Sequence, residues 1–148
     1  MSNKVLIVED EEITGRYLKM ALEDKKVEVE WIKNGQEAVE KFRKGAYDLI
    51  VLDIVLPGIK GDEVLEIVRE KDPYVVVVVY TNNINEHNMM SKFINLGVDA
   101  YINKGPGADL SKTVETIMKK LEPYSLDKFH ELMDHLENNE DNTNKKES

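Results

Sequence analysis

The sequence contains no cysteine, which excludes disulfides, thiolate zinc sites, iron–sulfur clusters and cysteine nucleophiles. It also lacks a long hydrophobic run. The longest uninterrupted apolar stretch covers residues 74–80, whereas a membrane helix needs about 20 apolar residues. Only four apolar residues follow the first four positions before an acidic run begins, so we expect no signal peptide. These absences predict a cytoplasmic protein without a membrane segment.

Positive charge is scarce relative to negative charge. The 148 residues carry 20 Lys and Arg against 29 Asp and Glu, a formal net charge of −9. This balance disfavours a domain that binds DNA phosphates by bulk charge. Hydrophobic residues still make up 41% of the chain, which is too many for a disordered protein. At this length we expect one folded domain.

Short apolar runs alternate with amphipathic stretches along most of the chain. The runs predict five strands, at residues 5–8, 29–32, 49–52, 75–79 and 100–102. Three of them are nearly continuous in Val, Ile and Leu, which is typical of strands that are buried on both faces of a parallel sheet.

Between the strands, apolar residues recur at helical spacing. In the first helix the predicted apolar face consists of Ile13, Tyr17, Met20 and Ala21. The second helix follows Asn34, which can cap the first turn together with Glu37. The fourth stretch, residues 85–96, is rich in Asn, so we expect a short or mobile helix there. The last helix has the clearest stripe, formed by Leu110, Val114, Ile117, Met118 and Leu121.

Five strand–helix units joined by right-handed crossovers predict an α/β fold. We expect a flavodoxin-like (βα)5 doubly wound sandwich with the parallel sheet order 2-1-3-4-5, filling residues 1–122. Residues 123–148 predict a C-terminal extension, with a short amphipathic helix at about 125–137 and then a disordered tail. The extension either folds back on the domain or forms a dimer contact. It is too short for a winged-helix or helix-turn-helix domain, so we expect no DNA-binding domain.

Polar side chains follow four of the predicted strands. They are the run Glu9-Asp10-Glu11-Glu12, Asp53, Thr81 and the pair Asn103-Lys104. In a sheet of this order, ligands bind beyond the carboxyl ends of the strands, where strands 1 and 3 meet. Carboxylates that converge there cannot all stay ionised without a cation, and oxygen-only ligands favour Mg²⁺. A cation, an ammonium and a hydroxyl around one carboxylate form a layout that can hold a phosphoryl group, and a carboxylate can itself accept that group.

Four motifs occur in a fixed order. They are VLIVEDE at residues 5–11, DLIVLDIVLPG at 48–58, VYT at 79–81 and LGVDAYINK at 96–104. Together they resemble the receiver domain of two-component response regulators, in particular stand-alone receivers of the chemotaxis-regulator type. The resemblance covers residues 4–122.

The resemblance implies a phosphoacceptor and a metal site. Asp53 would accept the phosphoryl group. The Mg²⁺ ligands would be Glu9, Asp10, Asp53 and the backbone carbonyl of Val55, with Glu9 binding through water. A phosphatase of the haloacid-dehalogenase type, which also has an aspartyl nucleophile, typically carries a second Asp two residues after that nucleophile. This sequence has Val55 there, which disfavours that class of enzyme.

The resemblance also implies a switch. Thr81 and Lys104 would contact the phosphoryl oxygens, and Tyr101 would swing inward when Thr81 moves. Two positions depart from the family pattern. Asn82 stands where a small residue is usual, and Gly105 stands between the Lys and the following Pro. We expect both to modulate the rates of phosphotransfer or dephosphorylation.

The implied function is that of a single-domain response regulator in a phosphorelay. The protein would be a phosphoacceptor and not an enzyme, although it would take part in its own phosphorylation and dephosphorylation. Its donor would be a sensor histidine kinase or a histidine phosphotransfer protein. An output protein would bind the face of helix 4, strand 5 and helix 5, and the protein would be a monomer or a weak phosphorylation-linked dimer. The alternative is a docking module that binds partners without phosphorylation.

Overall fold

The structure, a computed structural model, describes residues 3–81, 87–104, 109–122 and 133–136. Strands and helices alternate in the order β1 (Lys4–Val8), α1 (Glu12–Asp24), β2 (Glu28–Ile32), α2 (Gly35–Lys41), β3 (Leu49–Leu52), α3 (Gly61–Lys71), β4 (Val76–Thr81), α4 (His87–Asn95), β5 (Ala100–Asn103) and α5 (Leu110–Leu121). Residues 133–136 are helical. The rest of the predicted extension, together with Asn82 and Gly105, lies outside the described residues.

The five strands form one parallel sheet in the order β2-β1-β3-β4-β5, as the sequence predicts. Residues of β1 and β3 pair from Val5 with Leu49 to Val8 with Leu52. All residues of β3 are buried, which agrees with a strand made only of Leu, Ile and Val and covered on both faces. The order places the carboxyl ends of β1 and β3 side by side in the sheet.

Each face of the sheet carries its own hydrophobic core. On one face, alternate strand residues such as Leu6 and Ile50 pack with α2, α3 and Phe93 of α4. On the other face, the intervening residues such as Ile7 and Val51 pack with α1 and α5. The alternation follows from the two-residue period of a strand, which sends successive side chains to opposite faces. The result is a three-layer sandwich, as expected.

The apolar face predicted for α1 is wrong for three of its four residues. Ile13 is 79% exposed, Tyr17 42% and Met20 64%. The helix instead buries Thr14, Gly15, Leu18 and Leu22 against the sheet. Helical spacing gives α1 two apolar stripes, and the stripe that contains Gly15 can approach the sheet more closely. The other stripe is left on the surface, and below it is called the α1 stripe, meaning Ile13, Tyr17 and Met20.

The remaining helices agree with their sequence signals. Asn34 caps α2, because its Oδ1 accepts a hydrogen bond of 2.8 Å from the Glu37 N–H, as predicted. The stretch that predicts the fourth helix contains α4. The predicted stripe of α5 faces the core, with Ile117 fully buried. None of the helices in the described residues has the length and apolar character that a membrane span requires.

Arg69, near the end of α3, ties several chain segments together. Its guanidinium donates hydrogen bonds to the carbonyl oxygens of Leu96 at 2.6 Å, Val75 at 2.6 Å and Gly97 at 2.8 Å. It also lies 3.7 Å from the Asp99 carboxylate. The side chain is only 13% exposed, so these carbonyl groups depend on Arg69 for much of their hydrogen bonding. It joins the end of α3 to the start of β4 and to the turn between α4 and β5.

Candidate functional site

Three carboxylates meet at the carboxyl end of the sheet. Glu9 and Asp10 follow β1 directly, and Asp53 follows the neighbouring strand β3. One oxygen from each of the three carboxylates lies within 4.8 Å of the others. Glu9 is 2% exposed and Asp53 is 5% exposed, whereas Asp10 is exposed to solvent. The sequence therefore predicted correctly that strands 1 and 3 would bring their acids together.

Lys104 enters this cluster from β5, on the far side of β4. Its Nζ lies 2.5 Å from Glu9 Oε2 and 2.9 Å from Asp53 Oδ2. The side chain is 7% exposed, and Nζ lies 5.0 Å from the centre of the Tyr80 ring. Burial alone would lower the pKa of Lys104, but the hydrogen bonds to Glu9 and Asp53 outweigh it, so its pKa lies above the usual value. Lys104 is therefore a fixed positive charge in the site.

One ammonium cannot balance three carboxylates. Burial and, to a smaller extent, the negative charge of Asp53 raise the pKa of Glu9, while Lys104 lowers it, and the net result is a pKa of about 7 in place of 4.5. The Oε1 atom of Glu9 also accepts a hydrogen bond of 3.1 Å from the Glu11 N–H. The cluster thus holds more negative charge than its surroundings stabilise. A cation bound beside the three acids would remove that excess.

The loop after Asp53 leaves room for such a cation. Asp53 Oδ1 accepts a hydrogen bond of 3.1 Å from the Val55 N–H, which turns the loop, and Val55 is 58% exposed. A cavity of about 340 Å³ opens here, lined by Asp10, Glu11, Asp53, Val55 and Lys104. The donors are oxygen atoms of carboxylates and backbone, a set that suits a hard cation such as Mg²⁺ and not a soft metal. The residues present therefore fit the predicted metal.

Gly61 closes this loop by a short contact. Its N–H donates to the Ile54 carbonyl at 3.0 Å. A Cβ atom at position 61 would lie 2.4 Å from Ile54 Cα and 2.6 Å from the Asp53 carbonyl oxygen. Only glycine permits this approach, so α3 begins directly against the backbone of the Asp53 loop.

The predicted switch residues occupy the neighbouring strands. Thr81 ends β4 opposite Asn103, and its side chain lies outside the described part of the chain. Tyr101 is half-buried in β5, with its ring 5.8 Å from the Phe93 ring of α4. Burial raises the pKa of the Tyr101 hydroxyl. The structure thus brings together the predicted acids and Lys104, and it places Tyr101 against α4.

Sequence reasoning did not find the contribution of Trp31. Its indole Nε1 donates a hydrogen bond of 2.8 Å to the carbonyl oxygen of Glu9. The ring packs on Gly15, where a Cβ atom would lie 2.2 Å from it. A glycine within a helical pattern is a weak sign of such a close approach, and it was the one available signal.

The fold and the site together define a class of protein. It is a doubly wound α/β domain in which a buried aspartate, an acidic pair and a lysine meet at the carboxyl ends of β1 and β3. The chain belongs to the response regulator receiver domain family, whose model matches residues 5–117. Phosphorylation on Asp and binding of Mg²⁺ are general features of this family, which works in two-component systems.

Individual relatives agree with this assignment. The transcriptional regulatory protein PcoR of Escherichia coli is 33% identical over 118 residues, which are 79% of this chain and 52% of PcoR. The chain spans about half the length of the curated relatives it matches.

Two solved structures are similar over most of the chain. The non-phosphorylated HemR receiver domain from Leptospira biflexa has a TM-score of 0.77 at 28% identity, covering 84% of this chain and 98% of that one. The Mn²⁺-bound form of response regulator Rcp1 has a TM-score of 0.68 at 28% identity, with coverages of 84% and 98%.

Proposed function

We propose that the protein is a single-domain response regulator that accepts a phosphoryl group on Asp53 from a phosphohistidine donor. The observation that carries this proposal is the arrangement around Asp53, whose carboxylate lies 2.9 Å from Lys104 and within 4.8 Å of the other two acids. Asp53 also borders the cavity that opens to solvent. In this role the protein is a phosphoacceptor and not an enzyme.

The transfer is a displacement at phosphorus. A carboxylate oxygen of Asp53 attacks the phosphorus atom, a P–O bond forms, and the P–N bond to the donor histidine breaks. The histidine nitrogen keeps the electron pair of that bond. Lys104 is positioned to stabilise the charge that develops on the phosphoryl oxygens, because its buried ammonium already contacts Asp53. Thr81, at the end of the adjacent strand β4, would supply a hydroxyl donor.

We propose Mg²⁺ as the cofactor, held by Glu9, Asp10, Asp53 and the backbone carbonyl of Val55. When bound, the ion would neutralise the acids and the transferred phosphoryl oxygens. The excess negative charge of the cluster supports this proposal, as does the similarity to Rcp1, which was crystallised in a Mn²⁺-bound form.

The α1 stripe is where we propose that the phosphodonor protein docks. The stripe begins at Ile13, three positions after Asp10, so it lies beside the site that a donor must reach. Its three apolar side chains are exposed and line a cavity of about 300 Å³ together with Glu12 and Arg16. The donor would be a histidine kinase or a histidine phosphotransfer protein. An apolar helix face of the donor would cover these side chains.

We propose that the output surface lies at α4, β5 and α5. The contact between Tyr101 and Phe93 supports this proposal, because a movement of the Tyr101 ring would change its packing against α4. The partner there is a protein, and the regulator acts in the cytoplasm as a monomer or a weak phosphorylation-linked dimer.

An intact-mass measurement of the native protein should return the mass of these 148 residues. A heavier product that carries a DNA-binding domain would contradict the single-domain proposal.

Labelling with acetyl phosphate and Mg²⁺, followed by intact mass, tests the acceptor. The wild type should gain one phosphoryl group, and Asp53→Asn and the wild type in EDTA should gain none. Asp24→Asn, which changes an exposed Asp at the end of α1, is the matched control and should be labelled like the wild type. A wild type that binds neither phosphoryl group nor Mg²⁺ would favour the alternative, a docking module that acts without phosphorylation.

Two routes of phosphorylation separate the docking surface from the acceptor. Tyr17→Ser should slow transfer from a phosphohistidine protein at least about tenfold, since it removes an apolar contact at the centre of the docking surface. Labelling by acetyl phosphate, which needs no docking surface, should be unchanged. Tyr74→Ser, at an 85% exposed tyrosine outside the α1 stripe, is the control. Equal transfer rates in both variants would refute docking on α1.

A further inference from the structure

Trp31 is the single tryptophan of the chain, and it lies beside the acidic site without belonging to it. It sits on β2 opposite Ile7 of β1 and is half-buried. Its ring fills the space that Gly15 leaves on α1, since a Cβ atom there would lie 2.2 Å from the indole. On the outer side, Lys33 Nζ lies 5.0 Å from the ring centre. The indole is therefore held between a strand, a helix and a cation.

The indole N–H extends the pairing between β1 and β2 by one hydrogen bond. Main-chain register between these strands ends at Val8 opposite Ile32. Beyond that pair, the Glu9 N–H donates to the Ile32 carbonyl at 3.0 Å. The Glu9 carbonyl accepts from Trp31 Nε1 at 2.8 Å. Both main-chain polar groups of Glu9 are thus attached to β2, one by the backbone and one by a side chain.

The hydrogen bond from Trp31 to the Glu9 carbonyl affects the position of Asp10. The Glu9 carbonyl and the Asp10 nitrogen belong to one planar peptide unit, so a bond that fixes the carbonyl also fixes the direction in which the chain reaches Asp10. The Glu9 side chain has separate restraints, from Lys104 and from the Glu11 N–H. The exposed Asp10 carboxylate therefore depends on this peptide unit for its position beside Glu9 and Asp53.

We propose that Trp31 is a positioning residue of the cation site, because its hydrogen bond to the Glu9 carbonyl fixes the peptide unit that presents Asp10 to a divalent cation. This inference rests on the proposed function, since it requires that the acidic cluster binds such a cation. Trp31 does not touch the cation. It lowers the cost of binding by holding one ligand in place beforehand.

The presence of a single tryptophan allows this bond to be removed alone. Biosynthetic replacement of tryptophan by β-(3-benzothienyl)alanine changes position 31 only, preserves the ring shape and replaces the N–H by sulfur. The Kd for Mg²⁺, measured by calorimetry on the full chain, should rise about threefold to tenfold, the effect expected from one hydrogen bond. Trp31→Phe, which also lacks the N–H, should weaken binding at least as much.

Tyr47→Phe is the matched control. It removes one side-chain donor from another core aromatic, the hydroxyl that donates to Glu30 at 2.5 Å, at the opposite end of the sheet. We expect it to lower the thermal unfolding temperature without changing the Kd for Mg²⁺. If Trp31 had a merely structural role, the sulfur analogue would likewise have a lower unfolding temperature and an unchanged Kd for Mg²⁺.

The outcomes separate this inference from the proposed function. If the wild type binds Mg²⁺ and the sulfur analogue binds it more weakly while Tyr47→Phe does not, the inference holds. If the wild type and the analogue bind Mg²⁺ with equal Kd, the inference is overturned and the proposed function stands. If the wild type does not bind Mg²⁺, the proposed cofactor is overturned and the inference with it.

Discussion

Glu9 should make the metal-free protein less stable as the pH rises. Its pKa is raised from 4.5 to about 7 in the folded protein, mainly by burial. The folded state therefore holds this proton more tightly than the unfolded state. The resulting stabilisation is fully present below pH 4.5 and is lost as the pH rises through 7. The full difference between the two pKa values corresponds to about 3 kcal/mol.

The experiment compares urea unfolding of the wild type and Glu9→Gln in EDTA, from about pH 5.5 to about pH 8. Part of the titration lies below this window, so the wild type should lose about 2 kcal/mol more than Glu9→Gln across it. The comparison between variants removes the contributions of the other titrating groups. Glu63→Gln, at an exposed acid on α3, is the control and should follow the wild type.

Parallel pH profiles for the wild type and Glu9→Gln would refute the reasoning. They would mean that Lys104 fully compensates the burial of Glu9 and that the cluster carries no excess negative charge. Saturating Mg²⁺ gives a second check at about pH 8, which lies above the pKa of Glu9 in both the folded and the unfolded protein. The ion should stabilise the wild type more than Glu9→Gln, because it neutralises the charge that the substitution has already removed.

Three further substitutions test the scaffold around the site. Arg69→Met should lower the free energy of unfolding by about 3 kcal/mol in urea melts, because it leaves several carbonyl groups without their donor. Gly61→Ala should abolish or strongly reduce labelling by acetyl phosphate in a protein that still folds by circular dichroism, because the new Cβ would displace the backbone at Ile54 and Asp53. Asn34→Ala should cost about 1 kcal/mol of stability in urea, the usual effect of losing an N-cap, and leave labelling unchanged.

The fold was predictable because its signals are local and agree with one another. The run 49–52, which consists only of Leu, Ile and Val, predicts a strand buried on both faces, and the structure has β3 with the same bounds. Asn34 predicts the start of α2 through an interaction within one helical turn. The sheet order follows from the strand–helix alternation, since right-handed crossovers leave few arrangements.

The failure at α1 has a different origin. Ile13, Tyr17 and Met20 have helical spacing, but so do Leu18 and Leu22, and the sequence does not say which stripe meets the sheet. The choice depends on the close packing of Gly15 against Trp31, a contact between residues 16 positions apart in different elements. For the same reason the sequence could place Glu9 and Asp53 at neighbouring strand ends but could not show that Trp31 holds the Glu9 carbonyl.

Lys104 comes from the last strand of the sheet, 51 residues after the aspartate that it contacts. During synthesis, the segments of β1 and β3 are made before the segment of β5, so the acids exist before the buried ammonium that partly neutralises them. The site is therefore complete only when β5 has paired with β4 and Lys104 has reached Asp53. A chain that stalls or is cut before residue 104 would carry mutually repelling carboxylates at a half-formed edge. The proposed phosphoryl transfer, which uses Lys104, therefore requires a sheet that is complete as far as β5.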